Sequence, residues 1–151
     1  MHIEEINEFQ IIDVIKVIDK TPTLLLEHKQ LKKQLSLTGA VLEAQYRIGI
    51  NYLLLVTEDN PFEEALYIYY VNNHLKIIDT LELSAMYAEG MLRNIVVDAP
   101  DKLRFAFFDN HEEWLLTILS KAAYSVFNEK FPIKRKASIV HKKYLKLQKI
   151  S

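Results

Sequence analysis

Leu66-Tyr67-Ile68-Tyr69-Tyr70-Val71, then Asn72-Asn73, then a run from Leu75 to Leu83, is the stretch that decides the fold. The first segment is aliphatic and aromatic throughout, rich in strand formers, the composition of a strand covered on both faces. The second alternates Leu75, Ile77, Leu81 and Leu83 with Lys76, Thr80 and Glu82, and only Ile78 and Asp79 break the pattern. A period of two describes a half-buried strand. Asparagine tolerates positive φ better than most residues, so Asn72-Asn73 predicts a tight hairpin turn between the two strands.

The same pattern extends in both directions. Upstream, residues 40–46 and 50–56 flank Gly49. Downstream, residues 94–97 and 103–108 flank a turn containing Pro100, and residues 114–119 follow Asp109-Asn110-His111-Glu112. Proline presets φ for a turn and cannot donate to a strand ladder. Seven strands between positions 40 and 119 predict an antiparallel meander. The first 36 residues read two ways. Phe9, Ile11, Ile15 and Val17 suit a strand, whereas Ile3, Ile6, Phe9 and Ile12 suit a helix, and strand is preferred. Leu24-Leu25-Leu26, followed by a polar stretch to Leu37, reads as a strand then a loop or as one more hairpin arm, and strand is again preferred.

After Lys121 the period changes. Ala122, Ala123, Val126 and Phe127 fall at helical spacing and stop near Pro132, while Val140, Tyr144 and Leu147 recur at i, i+4, i+7 with lysines largely elsewhere. This spacing predicts a basic amphipathic helix. The expected architecture is an all-β or β-dominated α+β fold, an antiparallel meander forming a sandwich or partly open barrel. Residues 1–132 form its single β-rich domain, and residues 133–151 form a basic, helical C-terminal segment docked on the body or solvated.

The net charge of −1 conceals an asymmetry. Residues 1–128 hold 11 Lys and Arg against 19 Asp and Glu, and residues 129–151 hold 8 against 1. An acidic body with a basic end points to charged partners. The absence of cysteine excludes disulfides, thiol nucleophiles and thiolate zinc sites. No apolar run reaches the roughly 20 residues of a membrane-spanning helix. The start Met-His-Ile-Glu-Glu has no signal-like apolar core, so a cytoplasmic location is expected.

No motif that carries chemistry is present. Gly39, Gly49 and Gly90 are isolated, which leaves no phosphate-cradling or dinucleotide loop, and there is no G-x-S-x-G elbow. The five histidines, at 2, 28, 74, 111 and 141, never take metal-ligand spacing, although His74 and His111 at hairpin tips could meet near Asp109 and Glu112. No catalytic residue, cofactor or metal is therefore expected, and an enzyme is disfavoured.

Two surfaces remain as candidates. The acidic loop with Glu58, Asp59, Glu63 and Glu64, together with Tyr67, Tyr69 and Trp114 on predicted strands, reads as a partner-binding set, because aromatic residues anchor well-packed interfaces. Lys134, Arg135, Lys136, Lys142, Lys143 and Lys146 read as a polyanion-binding set. The leading expectation is a non-catalytic intracellular protein-binding module of bacterial type. It would act through a β-sheet surface, alone or by self-association, for example by neutralising a basic partner as toxin-immunity proteins do. The alternatives are a small-ligand binder or enzyme with an aromatic-lined pocket, and a nucleic-acid accessory protein using the basic segment. Residues 67–71 and 114–119 are too apolar for a one-faced sheet, so either a second protein layer or another molecule must cover them.

Overall fold

A computed structural model describes residues 2–60, 62–125, 129–135 and 141–150. Its strands are β1 (Ile3–Glu5), β2 (Phe9–Ile15), β3 (Thr23–His28), β4 (Lys33–Thr38), β5 (Val41–Ile48), β6 (Asn51–Thr57), β7 (Ala65–Val71), β8 (Ile77–Ser84), β9 (Gly90–Ala99), β10 (Lys102–Phe108), β11 (Trp114–Ser125), β12 (Ile133–Arg135) and β13 (His141–Lys149). They form three antiparallel sheets: β1-β5-β6-β7-β8-β12 in the centre, β13-β11-β10-β9 on one face and β2-β3-β4 on the other.

The central sheet explains the composition of β7. Leu66, Ile68 and Tyr70 point into a core shared with Leu103, Phe105, Phe107, Trp114, Leu116 and Ile118 of the four-stranded sheet. Ala65, Tyr67, Tyr69 and Val71 point the other way, against Phe9, Leu24, Leu26, Leu35 and Leu37 of the three-stranded sheet. β6 divides in the same manner, with Leu53 and Leu55 on one side and Tyr52, Leu54 and Val56 on the other. Successive residues of a strand face opposite sides, so β6 and β7, covered on both sides, are apolar at nearly every position. The cover for residues 67–71 is thus a second and a third layer of the same chain. The expected single sandwich or open barrel gives way to three stacked sheets with two cores.

Turn chemistry fixes the register. Gly49 takes φ +60° in the two-residue turn that sets Ile48 opposite Asn51. At the β7–β8 turn the positive φ falls on Leu75, at +59°, and not on the asparagines. Asn72 contributes through its side chain, whose Oδ1 accepts from the amides of His74 and Lys76 at 2.9 and 3.0 Å.

The expected C-terminal helix is absent, and there is no helix among the described residues. β11 continues through Ala122 and Ala123, and β13 pairs with it from Trp114↔Lys149 to Ile118↔Leu145 and, after a break in register between Ile118 and Ala123, from Ala123↔Lys143 to Ser125↔His141. The i, i+4, i+7 spacing misled because a competing period of two lies in the same residues: Leu145 and Leu147 are buried and Lys146 between them is exposed. Lysines on this strand suit its position at a sheet edge, where charge blocks pairing with other chains. Val126, Phe127 and Val140, which supported the helix, lie outside the described residues.

Asp79, the apparent flaw in the β8 pattern, is a junction. Its buried carboxylate accepts from the amides of Tyr144 and Leu145 at 2.8 Å each and pairs with the buried Arg135 guanidinium. Arg135 also donates to the Leu145 carbonyl at 2.7 Å and pairs with Glu129 at 3.1 Å. The basic segment is thereby tied into two sheets.

Candidate binding face at the loop end

The meanders bring one set of turns to a single end of the molecule. Glu64 N donates to Ala88 O at 3.2 Å, Asp109 N to Glu89 O at 3.2 Å, Ser84 N to Pro132 O at 3.2 Å and Ile150 N to Glu113 O at 2.9 Å. These bonds join the loops at residues 58–64, 85–89, 109–113 and 129–132. The β2–β3 turn joins the same end through an ion pair between Lys16 and Asp59 at 3.5 Å.

Three of the clefts among the described residues open between these loops. The largest, about 1060 Å³, has Phe108, Trp114 and Leu147 in its floor and Tyr87 and Phe131 at its rim. A second, about 870 Å³, lies between Glu43 and Thr57 on one side and Gly90, Met91 and Arg93 on the other. A third, about 700 Å³, runs beside Glu58, Glu63 and Glu82. The clefts are contiguous. Glu89 and Asp109 line the first and second, Glu64 the second and third, and Ala85 the first and third. Together they present eleven carboxylates and five cationic side chains, so this end carries a concentrated negative potential.

Each side chain has a local cause. Glu64 is buried and structural: its carboxylate accepts from the amides of Glu58 at 2.8 Å, Ala65 at 3.0 Å and Asn60 at 3.2 Å, which holds the acidic loop in place. Glu58 accepts a hydrogen bond from the Tyr67 hydroxyl. Burial, then the neighbouring Glu64, Glu82 and Glu63, push Glu58 above the usual carboxylate range. Glu43 is likewise raised, by burial first and then by Glu64 and Asp59. Asp59 and Glu63 are exposed.

The aromatic members of the predicted partner-binding set lie inward. Tyr67 and Tyr69 pack in the core beneath the three-stranded sheet, and the Tyr69 hydroxyl donates to Thr38 O at 2.8 Å. Burial raises both phenols, Tyr69 to about 12. Trp114 is buried as well, but under the largest cleft, and its indole N–H has no acceptor among the described residues.

The basic set is dispersed. Arg135 is buried against Asp79, Lys134 pairs with Glu82 at 3.6 Å and donates to Ser84 Oγ at 3.0 Å, and Lys143 pairs with Glu129 at 3.5 Å. Lys142 and Lys146 are exposed on β13, Lys142 with its ammonium 5.6 Å from the centre of the Tyr144 ring. Lys136 lies outside the described residues. His74 and His111 sit at opposite ends of their sheets and do not meet. No group of three or more His, Asp or Glu is placed to hold a metal ion among the described residues.

Sequence reasoning missed Tyr87, Phe131 and Arg93. Tyr87 and Phe131 are aromatic residues outside any strand pattern, and that misplacement was the available signal. The Arg93 guanidinium donates to the carbonyls of Met91, Phe107, Phe108 and Asn110 at 2.8–3.1 Å and so shapes the 109–111 loop. Nothing in its position along β9 announced that role.

No helix among the described residues is long and apolar enough to cross a membrane. No family model matches the chain, and comparison with characterised proteins and with solved structures finds no match either.

Proposed function

We propose that this protein is a non-catalytic binding module that captures a basic protein segment at its loop end, in a reducing compartment that suits its lack of cysteine. The observation that carries the reading is the convergence of three contiguous, carboxylate-rich clefts with exposed apolar side chains in the same loops. Phe62, Met86, Tyr87 and Phe131 are each about three-quarters exposed or more. Large apolar side chains exposed together with one sign of charge favour an interface over a solvated end.

Both cores are filled by side chains, so a small ligand would use the same clefts and not a barrel lumen. The polyanion reading has less support, because Lys134, Arg135 and Lys143 already have carboxylate partners.

The test is calorimetric titration with an oligolysine peptide. Binding is expected, with an affinity that falls as salt rises. Glu89→Lys with Asp109→Lys is expected to abolish it, while Glu4→Lys with Glu5→Lys, at the opposite end, leaves it intact. Equal loss in both variants, or no binding at low ionic strength, overturns the proposal.

A further inference from the structure

Resting on that reading, we infer that the basic partner carries an apolar anchor side chain beside its cations, and that this anchor seats in the largest cleft above Trp114. The charges around that cleft are unevenly satisfied. Glu112 is paired with Lys149 at 3.7 Å, and Glu129 with Arg135 at 3.1 Å and Lys143 at 3.5 Å. Glu89 and Asp109, on the wall shared with the second cleft, have no cationic partner among the described residues.

The cleft is therefore neutralised and aromatic over Trp114, and negative along one wall. Its floor is apolar, with Trp114, Phe108 and Leu147 at 2%, 7% and 8% exposure, while Tyr87 and Phe131 stand 82% and 74% exposed at its rim. Oligocation binding alone would use the charged wall and leave the aromatic rim in water. A segment with an aromatic or large aliphatic side chain next to lysine or arginine uses both. The volume of about 1060 Å³ accommodates such an anchor with its flanking backbone.

Trp114 is the single tryptophan of the chain, so its emission reports occupancy of this cleft. Two peptides serve as probes, Gly-Lys-Lys-Phe-Lys-Gly and the same peptide with Ser in place of Phe. At about 0.15 M ionic strength the Phe peptide is expected to bind about ten- to a hundredfold more tightly, the range set by burying one large apolar side chain, and to shift Trp114 emission. Tyr87→Ser and Phe131→Ser are expected to erase that advantage, bringing the Phe peptide down to the affinity that the same variant shows for the Ser peptide. Both side chains are exposed, and a thermal melt checks that each variant is folded.

Equal affinity for the two peptides, or an unshifted Trp114 emission, overturns the anchor while the charge-based reading stands. If neither peptide binds at low ionic strength, both fail together.

Discussion

Glu64 and Gly39 are the residues on which the acidic end depends most locally. The Glu64 carboxylate accepts three backbone amides. Glu64→Ala leaves those donors without a partner in a buried setting, and a loss of about 2–3 kcal/mol is expected in urea denaturation. Glu64→Gln retains one amide oxygen and loses less. A change below about 0.5 kcal/mol for the alanine variant would mean that solvent replaces the carboxylate and the loop is not held by it. Gly39 holds φ +132°, and a Cβ there would collide with the Val56 side chain and lie 3.2 Å from Thr57 O. Gly39→Ala therefore combines backbone strain with overpacking and is expected to cost about 2–4 kcal/mol. A melting temperature equal to that of the wild type would show that the β4–β5 connection relaxes freely. Neither role could be read from sequence: Glu64 is one of four acids in a row of seven residues, and what separates it from the exposed Asp59 and Glu63 is only which way the backbone turns.

At the scale of elements, the strands legible in sequence were those whose burial follows their own period. Residues 40–119 contain seven strands where seven were expected, because half-buried strands alternate and doubly buried ones are continuously apolar. β2, β3 and β4 also follow the preferred strand reading of the N-terminal region. β13 was misread because its pattern is set by a neighbour: β11 offers an open edge, and tertiary pairing overrides a weak helical period. The Asp79–Arg135 junction makes this pairing testable. Asp79→Ala leaves the buried Arg135 guanidinium with Glu129 but without its closest carboxylate, and frees the Tyr144 and Leu145 amides, for an expected loss of about 3–5 kcal/mol. Asp79→Leu combined with Arg135→Met removes both charges and is expected to recover the part of that loss due to the guanidinium, while the two amides stay unpaired. If the double variant is less stable than Asp79→Ala, the junction contributes net stability beyond its own desolvation and the expectation fails.

For the molecule as a whole, sequence displayed charge by position along the chain, while the fold displays it by end. The basic segment is woven through two sheets, so the acidic body and basic tail dissolve into one negative loop end and a remainder of mixed charge. Only the 58–64 part of that end was legible, since residues 85–89, 109–113 and 129–132 reach it through strand topology. The charge of this end sets a pH dependence. Glu43 and Glu58 titrate above the ordinary 4.5, in both cases chiefly through burial. In the free protein they bind protons more tightly than in the unfolded chain, so as pH falls through the window just above 4.5 their contribution to stability rises. Glu8 has the opposite sign: burial pushes it up, but the hydrogen bonds and charges of His28 and Arg47 outweigh that and hold it below 4.5, so its contribution is lost only at more acid pH. A basic partner favours the ionised forms of Glu43 and Glu58 and must displace their protons. Its affinity is therefore expected to fall as the pH is lowered toward 4.5. Calorimetry in buffers of different ionisation enthalpy would register proton release on binding as the pH approaches 4.5 from above, and Glu43→Gln with Glu58→Gln would flatten the affinity across that range. An affinity in the unmodified protein that holds constant down to 4.5 would place the partner away from both carboxylates.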